Sequence, residues 1–199
     1  MPKLLLATTN PGKLEELRAL LSDLAVELLT PIQLGLDLTV EETGKTYAEN
    51  AALKARAYAA ASGLPALADD SGLEVDALGG APGLQSARFS PLPGATDADR
   101  RAHLLRALAG KLQLWTAVFR STICLSLPNG EAYFATGECR GQISPTERGT
   151  GGFGYDRLFV IEGLGRTMAE LGMTEKNSLS HRAKAVTGIR RILKTLVDS

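Results

Sequence analysis

The chain of 199 residues has the length of one large domain and can bury a sizeable hydrophobic core. Its 22 Lys and Arg residues balance 22 Asp and Glu residues, and this argues against nucleic-acid or membrane-surface partners. No apolar run is long enough to span a membrane and no basic leader is visible, so we expect a cytoplasmic protein. The cysteines, Cys124 and Cys139, are expected to be reduced packing residues.

The first apolar segment leads directly into a candidate anion site. Residues 3–8 (KLLLAT) predict a buried strand, and a helix with leucines on one face follows. Asn10 suits the N-cap of this helix and Pro11 its first position. Because free N–H groups at a helix N-terminus attract anions, the segment from Thr8 to Lys13 could bind phosphate. A capped helix with one solvated lysine is the alternative.

Two acidic pairs lie on either side of the next predicted helix. Glu41 and Glu42 precede this helix, whereas Asp69 and Asp70 follow an apolar run and are expected to end a strand that turns at Gly72. Mg²⁺ prefers hard carboxylate oxygens, so the two pairs predict a magnesium site at one end of the sheet. Solvated charge and an ordinary surface turn are the alternatives.

The middle of the chain predicts a helix followed by a β-hairpin. The helix covers residues 96–109, and we expect its arginines to face solvent. Residues 115–127 and 132–143 have the β-branched and aromatic content of strands, with a hairpin signal at 128–130. A parallel start and an antiparallel middle predict a mixed α/β sheet.

A glycine-rich segment and the start of the last helix carry residues that suit a nucleotide base. Residues 149–156 (GTGGFGYD) place Phe153 and Tyr155 where they could stack on a flat ligand. Their spacing matches neither a phosphate-binding loop nor a dinucleotide fingerprint. The residues before the last helix that could bind a phosphate or a base edge are Lys176, His181 and Arg182. A plain glycine loop and chance polar residues are the alternatives.

Taken together, these segments predict a nucleoside triphosphate site with Mg²⁺. Acidic pairs suit a metal, lysine-bearing segments suit phosphates, and the aromatic loop suits a base. No set of Ser, His and Asp or of Cys and His indicates a covalent nucleophile. We therefore expect direct attack by a water activated by the metal.

The same segments resemble the Ham1/RdgB family of inosine triphosphate pyrophosphatases over essentially the whole chain. The matching motifs are Thr8-x-Asn10-x-x-Lys13, Glu41-Glu42-Thr43-Gly44, Glu49-Asn50-Ala51, Ala68-Asp69-Asp70-Ser71-Gly72-Leu73, Gly79-Gly80-Ala81-Pro82-Gly83, Ser86-Ala87-Arg88, Gly152-Phe153-Gly154-Tyr155-Asp156, and Glu175-Lys176-Asn177 through Ser180-His181-Arg182. One departure is Arg157, where the family usually has proline, and we expect it to change only local loop stiffness.

The resemblance implies a fold and an activity. The fold is one α/β domain over residues 1–199, with a long twisted mixed sheet, flanking helices and two lobes around a central cleft. The activity is Mg²⁺-dependent hydrolysis of ITP, dITP, XTP and dXTP to the monophosphate and pyrophosphate, which removes deaminated purines from the nucleotide pool. The partner is a small-molecule substrate, and the protein is expected to be a homodimer.

The resemblance also implies roles for individual residues. Glu41 and Asp70 would bind Mg²⁺, and Asp70 would act as the general base, with Asp69 and Glu42 in support. The residues implied to bind the triphosphate or otherwise contact the substrate are Thr8, Thr9, Asn10, Pro11, Gly12, Lys13, Ser71 and Lys176. Those implied to form the base pocket are Phe153, Gly154, Tyr155, Asp156, His181 and Arg182. Hydrogen-bond donors on His181 and Arg182 would favour a 6-oxo purine over adenine.

Three other functions remain open at this stage. A Maf-type pyrophosphatase for pyrimidine or modified nucleotides is disfavoured by His181, Arg182 and the Phe153 loop. A nucleotide sensor without turnover is disfavoured by the intact pair of Glu41 and Asp70. An RNA-binding module is disfavoured because the chain has zero net charge and no basic aromatic stripe.

Overall fold

A computed structural model describes the backbone of residues 1–198 and the side chains of residues 1–196. Within these residues six strands form one sheet with the order β2-β1-β3-β4-β5-β6. The strands are β1 Lys3–Leu6, β2 Glu27–Leu29, β3 Ala66–Val75, β4 Thr116–Ser126, β5 Ala132–Ile143 and β6 Phe159–Ile161. Strand β1 is parallel to β2 and β3, whereas β5 is antiparallel to β6, which confirms the predicted mixed α/β sheet.

The bounds of the helices are α1 Pro11–Leu20, α2 Tyr47–Ser62, α3 Asp97–Leu108, α4 Met173–Leu179 and α5 His181–Asp198. Helices α1, α2, α3 and α5 lie close to the predicted segments, whereas α4 was not predicted. The side chain of Asn10 accepts a hydrogen bond from the Lys13 backbone N–H at 3.0 Å and caps α1. Helix α2 ends at Gly63, whose φ of 66° lies in the left-handed region that glycine tolerates. None of the helices in residues 1–198 combines the length and the apolar character needed to cross a membrane.

The chain divides into two compact units. Unit 1 contains residues 1–70, 121–137 and the chain from His181 onward, and unit 2 contains residues 71–120 and 138–180. Strands β3, β4 and β5 therefore each contribute residues to both units. The unit boundary in β3 falls between Asp70 and Ser71.

The core of unit 1 lies on both faces of its strands. One face buries side chains against α1 and α5, and its strand residues are Leu4, Leu6, Leu67, Ile123 and Leu125. The other face packs on the alanine-rich side of α2, and its strand residues are Leu5, Ala7, Ala66, Ala68 and Cys124. This alternation is what period-two strands covered on both faces require. Burial raises the pKa of Cys124 to about 11, as suits a thiol that packs in the core.

Unit 2 has a separate core in which α3 packs against strand residues. Its largest buried side chains include Leu73, Leu104, Trp115, Phe119 and Phe159. The rings of Phe119 and Phe159 lie 4.6 Å apart between centroids, in a tilted arrangement. Strand β6 and helix α4 were not predicted, because three-residue strands and seven-residue helices carry little periodic signal.

The predicted strand end at the acidic pair is wrong. Strand β3 runs without interruption from Ala66 to Val75, so Asp69 and Asp70 lie in its middle and Gly72 stays extended. Because side chains alternate along a strand, the two carboxylates point to opposite faces of the sheet. Each carboxylate therefore has its own set of partners.

Candidate active site

The carboxylate of Asp70 belongs to a charged cluster in unit 1. The Nζ of Lys54, on α2, lies 2.8 Å from Asp70 Oδ1 and 2.8 Å from Glu42 Oε1. The same ammonium donates a hydrogen bond to the backbone carbonyl of Asp69 at 3.2 Å. Lys54 thus bridges the two acidic pairs that the sequence singled out. Glu41, predicted to bind the metal, is exposed, and it is Glu42 that is bridged to Asp70.

The carboxylate of Asp69 is buried on the opposite face, and its partners in unit 1 include Lys13, Ser121 and Arg182. Lys13 Nζ lies 3.0 Å from Asp69 Oδ2 and also donates to the Asp69 carbonyl oxygen at 3.2 Å. Ser121 on β4 donates its hydroxyl to Asp69 Oδ1. Arg182 donates from Nε and Nη2 to Asp69 Oδ2 at 3.2 and 3.0 Å. Asp69 is therefore the point at which α1, β4 and α5 meet β3.

Arg182 lies in a different environment from the one expected. Its side chain is only 1% exposed, and its guanidinium is held between Asp69 and Glu16 of α1. A guanidinium has only donors, and here they are directed at two carboxylates. The expected contact of Arg182 with a purine is therefore corrected to a place in this buried network. His181, the first residue of α5, is buried beside β5, where the carbonyl of His181 leaves no room for a Cβ at Gly137.

Hydrogen bonds to the side chains of Thr8 and Asn10 organise the segment before α1. Asn10 N donates to Thr8 Oγ1 at 3.2 Å, and Asn10 also caps the helix. Thr9, Asn10 and Pro11 are exposed, while Thr8, Gly12 and Lys13 are half-buried. The N-terminus of α1 therefore combines accessible residues with the ammonium of Lys13, which is the predicted composition of an anion site.

Burial and charge set the pKa values of this cluster in opposite directions. Burial raises the pKa of Asp70, and the nearby Lys54 offsets only part of this effect. Burial would also raise the pKa of Asp69, but Arg182 and Lys13 outweigh it and hold that pKa well below its usual range. Burial lowers the pKa of Lys13, and Asp69 compensates only in part. The two adjacent aspartates thus differ: Asp69 is a fixed anion, and Asp70 binds a proton more readily.

Asp156 organises the glycine-rich loop of unit 2. Its Oδ2 accepts a hydrogen bond from the Phe153 backbone N–H at 2.8 Å and one from Lys176 Nζ at 2.6 Å. A Cβ at Gly152 would lie 2.0 Å from the same oxygen, so only glycine permits this approach. Lys176 Nζ also lies 5.2 Å from the centroid of the Phe153 ring, within cation–π range.

Two residues of unit 2 are placed differently from the expectation. Lys176 is only 4% exposed and is paired with Asp156 beside Phe153, so it belongs to the aromatic loop and not to the unit of Lys13. Tyr155 packs in the core of unit 2, and its hydroxyl donates to the Ser86 carbonyl at 2.8 Å. The expected stacking of Tyr155 on a ligand is therefore wrong. Phe153, Gly154 and Ser71 are half-buried.

Sequence reasoning missed four residues that hold these side chains. Lys54, Glu16 and Ser121 contact the acidic pair or its partners, and Arg101 donates to the Gly154 carbonyl at 2.9 Å. The expectation that the arginines of α3 face solvent is wrong for Arg101, which is buried. The available signal was weak: Glu16 and Lys54 lie on helices where a charged residue is usually solvated.

The residues of unit 1 fit a hard divalent cation. Carboxylates of Asp70 and Glu42 and the carbonyl of Asp69 surround one ammonium, and they are all oxygen donors. In the part of the chain that the structure describes, no three His, Cys, Asp or Glu residues converge as a complete metal site. Mg²⁺ commonly uses one or two carboxylates and completes its shell with phosphates and water.

Comparisons with known proteins identify the family of this chain. The sequence profile of the Ham1 family matches residues 4–192. The chain belongs to the Ham1 family. A relative named dITP/XTP pyrophosphatase from Symbiobacterium thermophilum is 46% identical over 200 residues, with 98% of this chain and 97% of the relative covered. One of the same name from Geobacter sulfurreducens is 49% identical over 187 residues, with 94% of each chain covered.

Solved structures show the same fold. A HAM1 protein from Coxiella burnetii superposes with a TM-score of 0.87 at 40% identity, and the match covers 98% of this chain and 100% of that chain. The expected Ham1-type α/β fold is therefore confirmed. The clusters around Asp70 and Asp156 are the features of this Ham1 chain from which a function can be argued.

Proposed function

We propose that this protein hydrolyses deaminated purine nucleoside triphosphates (ITP, dITP, XTP and dXTP) to the nucleoside monophosphate and pyrophosphate. Full-length similarity to relatives that are named dITP/XTP pyrophosphatase supports this activity. The observation that carries it is the Asp70–Lys54–Glu42 cluster, where a carboxylate with a raised pKa lies among oxygen donors. Such an enzyme keeps deaminated purines out of DNA and RNA.

In this proposal the N-terminus of α1 binds the polyphosphate and Asp70 takes part in the chemistry. The exposed residues at the start of α1, with Lys13, offer N–H groups, a hydroxyl and a cation to phosphate oxygens. Asp70 accepts a proton from a water whose oxygen forms a bond to the α-phosphorus, while the bond from that phosphorus to the bridging oxygen breaks and pyrophosphate leaves. A raised pKa suits Asp70 to this role, because a base is most effective when its pKa approaches the working pH. Ser71, which follows Asp70 in β3, would contact the substrate.

We assign the metal site to Asp70 together with Glu42 or Glu41. Bound there, Mg²⁺ would neutralise phosphate charge and lower the pKa of a bound water. The contact with Lys54 favours Glu42, whereas the sequence motif favoured Glu41. Replacing each glutamate by glutamine distinguishes the two candidates. Only the substitution that removes a metal ligand should raise the Mg²⁺ concentration required for half-maximal activity.

In the same proposal the glycine-rich loop around Phe153 binds the purine. Phe153 is half-buried beside the ammonium of Lys176, so its ring can stack on a base while Asp156 fixes the loop. Gly154 and the backbone around Tyr155 would line the pocket. His181 would supply a donor to a 6-oxo group, since a purine with a 6-amino donor would leave such a donor unpaired.

We further propose that residues 1–199 form one functional domain that assembles as a cytoplasmic homodimer. A groove of about 420 Å³ in unit 1 supports the dimer, and Leu53 and Phe134 are exposed in it. Glu49 and Arg56 flank Leu53 on the same helix. If two α2 helices met antiparallel across a two-fold axis near Leu53, each Glu49 would face the partner's Arg56, so the surface is self-complementary in charge.

A pyrophosphate-release assay over a panel of nucleoside triphosphates tests the activity. We expect turnover of ITP and XTP far above that of ATP and of pyrimidine triphosphates, and loss of turnover on removal of Mg²⁺. Preference for pyrimidine nucleotides would instead indicate a Maf-type enzyme, and binding of ITP without turnover would indicate a sensor.

Asp70→Asn should abolish hydrolysis and leave the fold intact. The amide keeps the shape of the side chain but removes the base and one negative charge from the metal site. Loss of a positioned base costs roughly 10²–10⁴-fold in rate, so kcat should fall by at least that factor. The measurement is kcat at saturating Mg²⁺ with circular dichroism as the folding control. A kcat within about tenfold of wild type would exclude Asp70 as the base.

A further inference from the structure

Four charged side chains of unit 1 are joined in series by three ion pairs. Lys13 contacts Asp69, Asp69 contacts Arg182, and Arg182 contacts Glu16. Helix α1 closes the chain, because it carries both Lys13 and Glu16. These two residues are three positions apart, so they lie on the same face of the helix. We call this set, Lys13, Asp69, Arg182 and Glu16, the buried charge ring.

Within the buried charge ring the negative and positive charges balance. Glu16 and Arg182 are 2% and 1% exposed, and the proposed reaction assigns neither of them a contact with the reacting atoms. A glutamate in the middle of an amphipathic helix is normally solvated, so a buried one requires a partner. The partner here is Arg182, and its guanidinium reaches from Glu16 to the same Asp69 oxygen that Lys13 approaches.

We propose that Glu16 is a positioning residue of the polyphosphate site, which holds the ammonium of Lys13 in place through Arg182 and Asp69. This inference rests on the proposed function. Without the Glu16 charge, Arg182 would be balanced only by Asp69, and the ring would carry a net positive charge. Lys13 would then share Asp69 with an uncompensated guanidinium and would be repelled by it.

The kinetic consequence concerns substrate binding more than the chemical step. Lys13 is proposed to attract phosphate oxygens whose charge is present before and during the reaction. A misplaced Lys13 therefore weakens the binding of the ground state and of the transition state alike. Glu16→Gln should therefore raise KM for ITP about tenfold or more and change kcat by less than about threefold. The Kd of tripolyphosphate, measured by calorimetry without turnover, should rise in parallel.

Two neighbouring residues of α1 provide matched controls. Glu15→Gln removes the same charge from an exposed position one residue away and should keep the wild-type KM. Leu17→Ala weakens the core next to Glu16 without touching the buried charge ring, so it reports the effect of lost stability alone. If Glu16→Gln and Leu17→Ala lower the Tm equally, only Glu16→Gln should raise the KM and the Kd of tripolyphosphate.

The outcomes separate a positioning role from a structural one. Equal KM values in Glu16→Gln and in either control would overturn the inference. If Glu16→Gln does not fold, Glu16→Asp decides, because it keeps the charge on a shorter side chain. A tripolyphosphate Kd raised more than about twofold in this variant supports the inference, and an unchanged one overturns it. Failure of the wild type to hydrolyse ITP would refute the proposed function, whereas the tripolyphosphate comparison would still test Glu16.

Discussion

At the scale of single residues, adjacent aspartates in one strand have opposite electrostatic roles. Asp69 is surrounded by Lys13, Arg182 and Ser121, and these partners keep it ionised. Asp70 is paired with Lys54, and burial raises its pKa. Strand alternation explains the difference, since it directs the two side chains to different neighbours. The strand thus holds a structural anion and a candidate base one residue apart.

Asp69 should make the stability of the metal-free protein dependent on acid pH. Its pKa in the folded state lies well below the ordinary value of 3.8. A depressed pKa stabilises the fold above the unfolded value, and this contribution is lost as pH falls through the folded value. Asp69→Asn should cost about 3–5 kcal/mol in the free energy of unfolding near pH 7, because it removes the carboxylate that buried Lys13 and Arg182 share.

Urea unfolding of wild type and Asp69→Asn between pH 7 and pH 3 measures this effect. The difference between the two proteins should be constant near neutrality and shrink below about pH 4, where the Asp69 carboxyl of the unfolded chain binds its proton and that of the folded protein stays ionised. A difference that stayed the same throughout this range would mean that folding does not lower the pKa of Asp69.

At the scale of elements, the loop of residues 149–156 is held by contacts within unit 2. Asp156 holds the Phe153 backbone and Lys176, while Arg101 of α3 holds the Gly154 carbonyl. The Gly154 backbone N–H in turn donates to Asp97, in the first turn of the same helix, at 2.7 Å. Side chains of α3 therefore bind both the backbone N–H and the backbone carbonyl of Gly154, which a solvent-facing helix would not do.

Asp156→Asn should impair recognition of the base and leave the binding of phosphates intact. The amide keeps the size of the side chain but leaves Lys176 without its charge partner. Hydrogen bonds to charged groups contribute about 1.5–3 kcal/mol, so kcat/KM for ITP should fall roughly 10–100-fold. Calorimetric binding of tripolyphosphate should stay at its wild-type value.

The exposed Glu162 of unit 2 offers a control for Asp156. Glu162→Gln removes one negative charge from the surface of the same unit and should leave kcat/KM within about twofold of wild type. Equal losses of tripolyphosphate and ITP binding in Asp156→Asn would show that the loop acts on the phosphates and not on the base.

At the scale of the whole molecule, the groove lined by α2 and Phe134 is the surface proposed to bind a second copy. Phe134 is 46% exposed, and a large exposed aromatic ring in an apolar groove often marks an interface. Phe134→Glu should therefore shift the protein from dimer to monomer in light scattering coupled to size exclusion, with circular dichroism unchanged. Burying a carboxylate at this position would disfavour the association strongly.

Ile32 supplies the matched control for the dimer. It is 80% exposed in unit 1 and lies outside the groove, so Ile32→Glu makes the same kind of substitution without affecting the proposed interface. This variant should keep the wild-type mass. A wild-type protein that is monomeric at micromolar concentration, or loss of the dimer in both variants, would contradict the assignment of this face.

The sequence alone was sufficient for the order of most elements, the cap of α1, the hairpin and the Ham1 resemblance. Asn10 was identified because a helix cap acts over a few residues, so its chemistry is visible in a local sequence pattern. The acidic pair and the glycine loop were likewise identified as unusual, since buried charge and dense glycine are rare in ordinary elements.

Only the tertiary structure decided which charges meet. The pairs Glu16–Arg182 and Lys54–Asp70 join residues 166 and 16 positions apart, and no local pattern marks them. Tyr155, Lys176 and Arg182 were placed incorrectly for the same reason, because a motif identifies a residue but not the direction of its side chain. Whether a charged side chain faces a ligand or a buried counter-charge depends on the elements that pack around it, and long-range packing determines those neighbours.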